Sequence, residues 1–242
     1  MKRFRMMFAL AVSLSGEAAL GGTLTGHVSV VSSERPAGKA DHSGAVVWLE
    51  PADGLPVPAA SPAGAPLAPV QVVQRKQTFV PHVQAVQVGT AVDFPNADPT
   101  LHNVFSNYYG QVFDLHLYAP KTSRRVVFRR PGMAYIFCNI HEEMSAVVAV
   151  LPTPYFAVTG AEGRFEIQAP AGAYRLQVWF ERSLPQKLRL LERRIVLGDA
   201  GASAGEIAVS TDGYVAERHK NKYGQEYSPA PDESFFYPGG RR

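Results

Sequence analysis

The sequence predicts an all-β protein, on three observations. Apolar residues make up 46% of the 242-residue chain, ample for a packed core, while charged residues stand at 19%, below the roughly one quarter that is usual. That balance excludes a globally disordered chain. The 21 glycines and 19 prolines are spread along the chain rather than clustered. The apolar runs between them are short and rich in Val, Phe and Tyr, the pattern of strands broken by turns. No helix resists this reading: Leu184, Leu188 and Leu191 have helical spacing, but Pro185 leaves the start of such a helix open. Length alone allows one or two domains.

At the N-terminus, Lys2, Arg3 and Arg5 precede the apolar run Met6 to Leu14, followed by small residues. This reads as a secretory signal over residues 1–20, against a frayed cytosolic start, and places the mature chain in the periplasm or otherwise outside the cytoplasm. No later apolar stretch approaches the ~20 residues of a membrane span. Next, "GTLTGHVSVV" and "GAVVWLE" read as two strands, and "PADGLPVPAASPAGAPLAP" as an extended surface loop. Val86 to Val88, Gly89-Thr90 and then Val92 and Phe94 read as strand, tight turn, strand. In "VFDLHLYAP", Phe113, Leu115 and Leu117 alternate with Asp114, His116 and Tyr118. Two more strands flank the Pro131-Gly132 turn, and "AVVAVLP" has the length of a buried strand. From Thr153 a smaller unit repeats the strand-and-turn texture. The predicted organisation is a first domain over 21–152, a β module over 153–210, and an extended or disordered tail over 211–242.

A net charge of +3 with seven histidines is too weakly basic for nucleic-acid binding, and no basic motif interleaved with aromatics supports it. The single cysteine, Cys138, cannot form an internal disulfide, and an exposed free thiol is a liability after export. It stands in "FCNIHEEM", with His141 and Met144 at intervals of three. A thiolate, an imidazole and a thioether suit copper better than calcium or magnesium, which want oxygen. Zinc has little use for methionine, and a c-type haem needs a second cysteine directly before a histidine. Three residues do not complete a mononuclear site. The candidate fourth is His102 in "FPNADPTLHNVF", at a strand end just after the Asn96–Pro99 turn. Two histidines and a cysteine with a weak methionine make the geometry associated with blue-copper electron transfer.

These two blocks, "VQVGTAVDFPNADPTLHNVF" and "PGMAYIFCNIHEEM", resemble the cupredoxin family. The short C-x-x-H-x-x-M loop is similar to that of amicyanin-like members, and the run from Phe79 to Phe156 resembles the plastocyanin-like methylamine utilisation proteins. The resemblance implies a cupredoxin-like Greek-key β-sandwich holding one type 1 copper ion. It implies His102, Cys138 and His141 as equatorial ligands, Met144 as the axial one, and Asn103 as a brace for the cysteine loop. Ser145 and Ala146 stand where many cupredoxins place a glycine. "GRFEIQAPAGAYRLQVWFE" resembles carboxypeptidase regulatory-like, or transthyretin-like, β-sandwich modules.

The implied function is one-electron transfer without catalysis, with a redox protein such as a cytochrome or a dehydrogenase as partner and the edge of His141 as the electron port. Phe105, Phe137 and Ile140 are expected to tune the potential. Two alternatives stand beside it: a periplasmic copper carrier, and a structural surface protein with a vestigial site. Each ligand alone has a plainer reading, a buried thiol for Cys138 and a core gap-filler for Met144. His82 reads as a structural histidine and His116 as solvent-facing, while His27, His42 and His219 lie outside the ligand blocks and receive no role. Glu142 and Glu143, adjacent and without a nucleophile, read as solvated charge rather than acid–base catalysts. Lys121, Arg124, Arg125, Arg129 and Arg130 read as a solvated β face, or as a patch that steers an acidic redox partner.

Overall fold

The computed structural model describes residues 21–33, 41–52, 70–107, 111–216 and 218–227. The expected signal, most of the Pro/Ala-rich loop and the tail beyond residue 227 lie outside the described residues. The chain opens with β1 (Gly21–Val31) and β2 (Val46–Pro51). It continues through β3 (Val70–Gln71), β4 (Val73–Arg75), β5 (Thr78–Val80), β6 (Val83–Gln87) and β7 (Ala91–Pro95). Then come β8 (His102–Ser106), β9 (Phe113–Tyr118), β10 (Ser123–Val127), β11 (Gly132–Phe137) and β12 (Ser145–Leu151). The last part holds β13 (Phe156–Val158), β14 (Arg164–Pro170), β15 (Gly172–Trp179), the short helix α1 (Pro185–Arg189), β16 (Arg193–Leu197) and β17 (Ala202–Ser210). The protein is all-β, and among the described residues no helix is long and apolar enough to cross a membrane.

Two sandwiches result. In the first, a five-stranded sheet ordered β6-β12-β11-β8-β9 lies over a three-stranded sheet ordered β10-β7-β3. Alternate side chains from both, among them Phe94, Val104, Ile136 and Val148, fill the space between with Phe128. Cys138 and Met144 belong to this same buried cluster, so the loop between them caps one end of the core. In the second sandwich, the sheet β14-β1-β17 packs on the sheet β13-β2-β15-β16 through Leu24, Leu49, Phe165, Leu176 and Val209. Side chains of this size stabilise by about 1.5–3 kcal/mol each when fully buried.

A third apolar cluster joins the two. Ala149 and Leu151 of β12, with Ala85 of β6, meet Val46 of β2, flanked by Trp48, Phe156 and Trp179. This accounts for the unbroken apolar run of β12, where even-numbered residues face the first core and Ala149 and Leu151 face the junction.

Several sequence expectations take a different form. Gly89 does supply a tight turn, with φ +94° and the Thr90 amide donating to the Gln87 carbonyl at 3.1 Å. The turn does not make a hairpin, because β6 pairs in parallel with β12 while β7 pairs with β10 and β3 in the opposite sheet. The alternation of β9 breaks at His116, whose φ of +55° reverses the phase. Leu117 is consequently 49% exposed, and Tyr118 turns inward to 3%. The division at 152/153 groups β1 and β2 with the first domain. Their hydrogen-bonded partners are instead β13, β14, β15 and β17, because their apolar faces complete the second core. Pro185 begins a five-residue helix at its first position, where the missing N–H costs nothing.

Candidate metal centre

His102 enters the site as the first residue of β8, fully buried at 0% exposure. Cys138 follows the last residue of β11 and is also at 0%. The loop then turns back: the Met144 amide donates to the His141 carbonyl at 3.1 Å, and the Cys138 amide to the Met144 carbonyl at 3.1 Å. This closure brings His141 over Cys138 and drives Met144 into the core at 0% exposure. His141 stays half-buried.

Three donor atoms converge. His102 Nδ1 and His141 Nδ1 lie 3.2 Å apart, and Cys138 Sγ lies 3.5 Å from His141 Nδ1 and 4.0 Å from His102 Nδ1. Nitrogen and sulfur ligands bind a transition ion at about 2.0–2.3 Å. Donors arranged around one such ion therefore sit roughly 3.3–3.8 Å from each other, and the observed separations of 3.2, 3.5 and 4.0 Å straddle that range. Among the described residues this is the one group of His, Cys, Asp and Glu side chains that converges in this way.

Asp98 sets the tautomer. Its Oδ2 lies 2.9 Å from His102 Nε2, and a carboxylate only accepts, so Nε2 carries the proton and Nδ1 presents its lone pair to the triangle. Burial works against the charge on Asp98. The Gln77 amide, the His102 ring and the Lys76 amide outweigh it and hold the carboxyl below its ordinary range. For His141, burial and the neighbouring His102 push the imidazole below the usual histidine range, with Asp98 opposing weakly. The first shift favours a charged carboxylate at Asp98 and the second a neutral, ligand-ready ring at His141.

Asn103 takes the bracing position expected of it: its Oδ1 accepts from the Asn139 amide at 3.2 Å. His82 lies apart from the triangle, with Nδ1 3.1 Å from the Ser145 carbonyl and Nε2 2.6 Å from Glu181 Oε2. His116 is exposed, as expected. His27 and His42 meet edge to face in the second sandwich, 5.7 Å between centroids. Phe105 and Phe137 pack together at 5.8 Å, whereas Ile140 is 45% exposed. Of the basic residues, Arg125 is engaged by Asp93 at 2.6 Å and Arg124 lies 5.9 Å over the Tyr118 ring.

Sequence reasoning passed over four contributors. Asp98 carried a legible signal, an acid four residues before His102. His219, Lys222 and Tyr227 carried none, because they come from the tail. The described part of that tail has no strand or helix, yet it lies against the ligand loop rather than being free.

Neither the known family profiles nor the curated proteins give a match. Solved structures do. The neighbours are cupredoxins. A purple cupredoxin from Nitrosopumilus maritimus shares 22% identity over 34% of this chain and 99% of its own, at a TM-score of 0.32. Amicyanin from Paracoccus versutus shares 22% over 40% of this chain and 96% of its own, at 0.33. A copper-containing nitrite reductase from Thermus scotoductus SA-01 shares 28% over 42% of this chain, at 0.34, and the match spans only 27% of that enzyme. These matches cover 34–42% of the chain, and the candidate metal centre rests on its donor atoms instead.

Proposed function

We propose that this is an exported type 1 copper protein that passes single electrons between redox proteins. The observation that carries this reading is the triangle of one sulfur and two Nδ1 atoms, with Cys138 and His102 fully buried and the tautomer of His102 fixed by Asp98. Copper held there by Cys138, His102 and His141 would supply a one-electron couple at a soft thiolate and two imidazoles, with the Met144 thioether as a further soft donor. The chain's own residues do the rest. Burial of His102, Cys138 and Met144 excludes water, and the closed loop keeps the donors together in either oxidation state. Half-buried His141 offers the edge through which a cytochrome or a dehydrogenase would couple. The second sandwich would serve as a carboxypeptidase regulatory-like stabilising module, since β14 and β15 carry the residues of that resemblance.

Adding Cu(II) to the purified protein tests the assignment. An intense thiolate-to-copper absorption band is expected, abolished in Cys138→Ser. A band that survives that substitution, or no band in the parent, would overturn it. Rapid loss of the ion to an external chelator would favour a copper carrier over an electron carrier.

A further inference from the structure

Residues 218–227 return from the second sandwich and lie along the outer side of the ligand loop. Their contacts fall on groups that the loop leaves open. The Tyr227 hydroxyl lies 2.7 Å from the Cys138 carbonyl, which can only accept. His219 Nε2 lies 2.6 Å from the Glu142 carbonyl, and the His219 ring stacks on Phe137 at 4.1 Å with 26° between planes. Tyr227 and His219 also meet, hydroxyl to Nδ1, at 3.2 Å. Arg218 comes within 3.6 Å of the Glu142 carboxylate.

Lys222 completes a closed circuit of hydrogen bonds. Its amide donates to Asn139 Oδ1 at 3.0 Å, and its Nζ donates to Asp114 Oδ2 at 2.7 Å. Asp114 Oδ1 accepts from Asn103 Nδ2 at 2.7 Å, and Asn103 Oδ1 accepts from the Asn139 amide at 3.2 Å. Four residues from four parts of the chain thus hold each other in a ring beside Cys138. Asn103 and Asn139 flank two ligands directly. Asp114 and Lys222 fix those two asparagines from outside, and without Lys222 the ring is open.

We propose that residues 218–227 are an integral part of the metal centre, with Tyr227, His219 and Lys222 as positioning residues that hold the Cys138–Met144 loop in its binding shape and keep water from its outer side. Loop carbonyls that would otherwise turn toward solvent are taken up by the strap, so the donor triangle is assembled before any ion arrives. The aromatic pair His219 and Phe137 covers the flank next to Cys138. Water admitted there would favour the more highly charged, oxidised centre and so lower its reduction potential. This effect on potential rests on the copper reading above; the bracing of the loop does not.

The experiment uses the full-length protein and three variants, Tyr227→Phe, Lys222→Met and Lys222→Arg. In the metal-free state, amide hydrogen exchange is followed at Asn139 and Met144, which donate within the circuit and the loop. Losing one such hydrogen bond is expected to speed their exchange about ten-fold in Tyr227→Phe and Lys222→Met, while β12 amides stay as in the parent. Lys222→Arg, which can still reach Asp114, restores parent rates. In the copper-loaded state, the first two variants shift to lower reduction potential. Parent-like exchange in both, or acceleration spread evenly into β12, overturns the proposal. If the parent shows no thiolate-to-copper band, the electron-transfer reading fails alone, and exchange in the metal-free protein still decides the role of the strap.

Discussion

At Asp98 a carboxylate that can only accept meets the Nε2 of a fully buried imidazole, while its oxygens also take the amides of Lys76 and Gln77. Asp98→Asn places an amide NH₂ where one of those acceptors stood, so the tautomer of His102 is no longer dictated. Removing such an outer partner typically costs about 10–100-fold in metal affinity, and a competition titration against a chelator should find that loss with little change in fold. Residue identities at the site were largely legible because ligation has local grammar. Cys138, His141 and Met144 announce themselves by spacing, and His102 by its block. Tyr227 and Lys222 have no such grammar, since their importance arises from a contact 89 residues away for Tyr227 and 83 for Lys222.

At the level of single strands, β9 shows where pattern reading stops. Phe113 and Leu115 follow the expected alternation, but His116 adopts a left-handed backbone that the Asp114 carboxylate supports by accepting its amide at 2.8 Å. The phase reversal sends Tyr118 inward, where its hydroxyl donates to the Phe94 carbonyl at 2.8 Å and Gln74 Nε2 donates to it. Positive φ is the province of glycine and occasionally of short polar residues, and it strains β-branched ones. His116→Gly should therefore leave stability close to that of the parent, while His116→Val should cost on the order of 1–3 kcal/mol, read from urea unfolding midpoints. The strands themselves were mostly visible as short apolar runs. Their partners were not, because a run of Val and Phe specifies a face without naming the sheet that the face completes.

For the molecule as a whole, the junction between sandwiches combines an apolar cluster with one ionic link. His82 has two neighbours that only accept, the Ser145 carbonyl and the Glu181 carboxylate, so this setting favours the protonated imidazole, with both ring nitrogens donating. The hydrogen bond to Glu181 raises its pKa above the ordinary 6.5, against the opposing pull of burial. A raised folded-state pKa means that the link stabilises fully below the unfolded value and fades as pH climbs through the folded one. His82→Gln should thus destabilise the protein at about pH 5.5 and matter little well above the raised pKa. With the side chain 49% exposed, solvent screening keeps the difference below about 1 kcal/mol, to be read from paired denaturation curves. Beside this junction, the parallel pairing of β1 with β17 carries a further consequence, for the order of assembly. Thr211 reaches back 180 residues to Val31, so β1 and β2 leave the ribosome long before β13 to β17 exist to receive them. The first sandwich is nested in sequence inside its companion, so all its strands are synthesised while the opening strands of the outer sandwich still lack their partners. Excising the inner unit at residue 152 would strand β1 and β2 as sticky edges; excising 70–152 would spare them, but would leave the ligand loop without its strap.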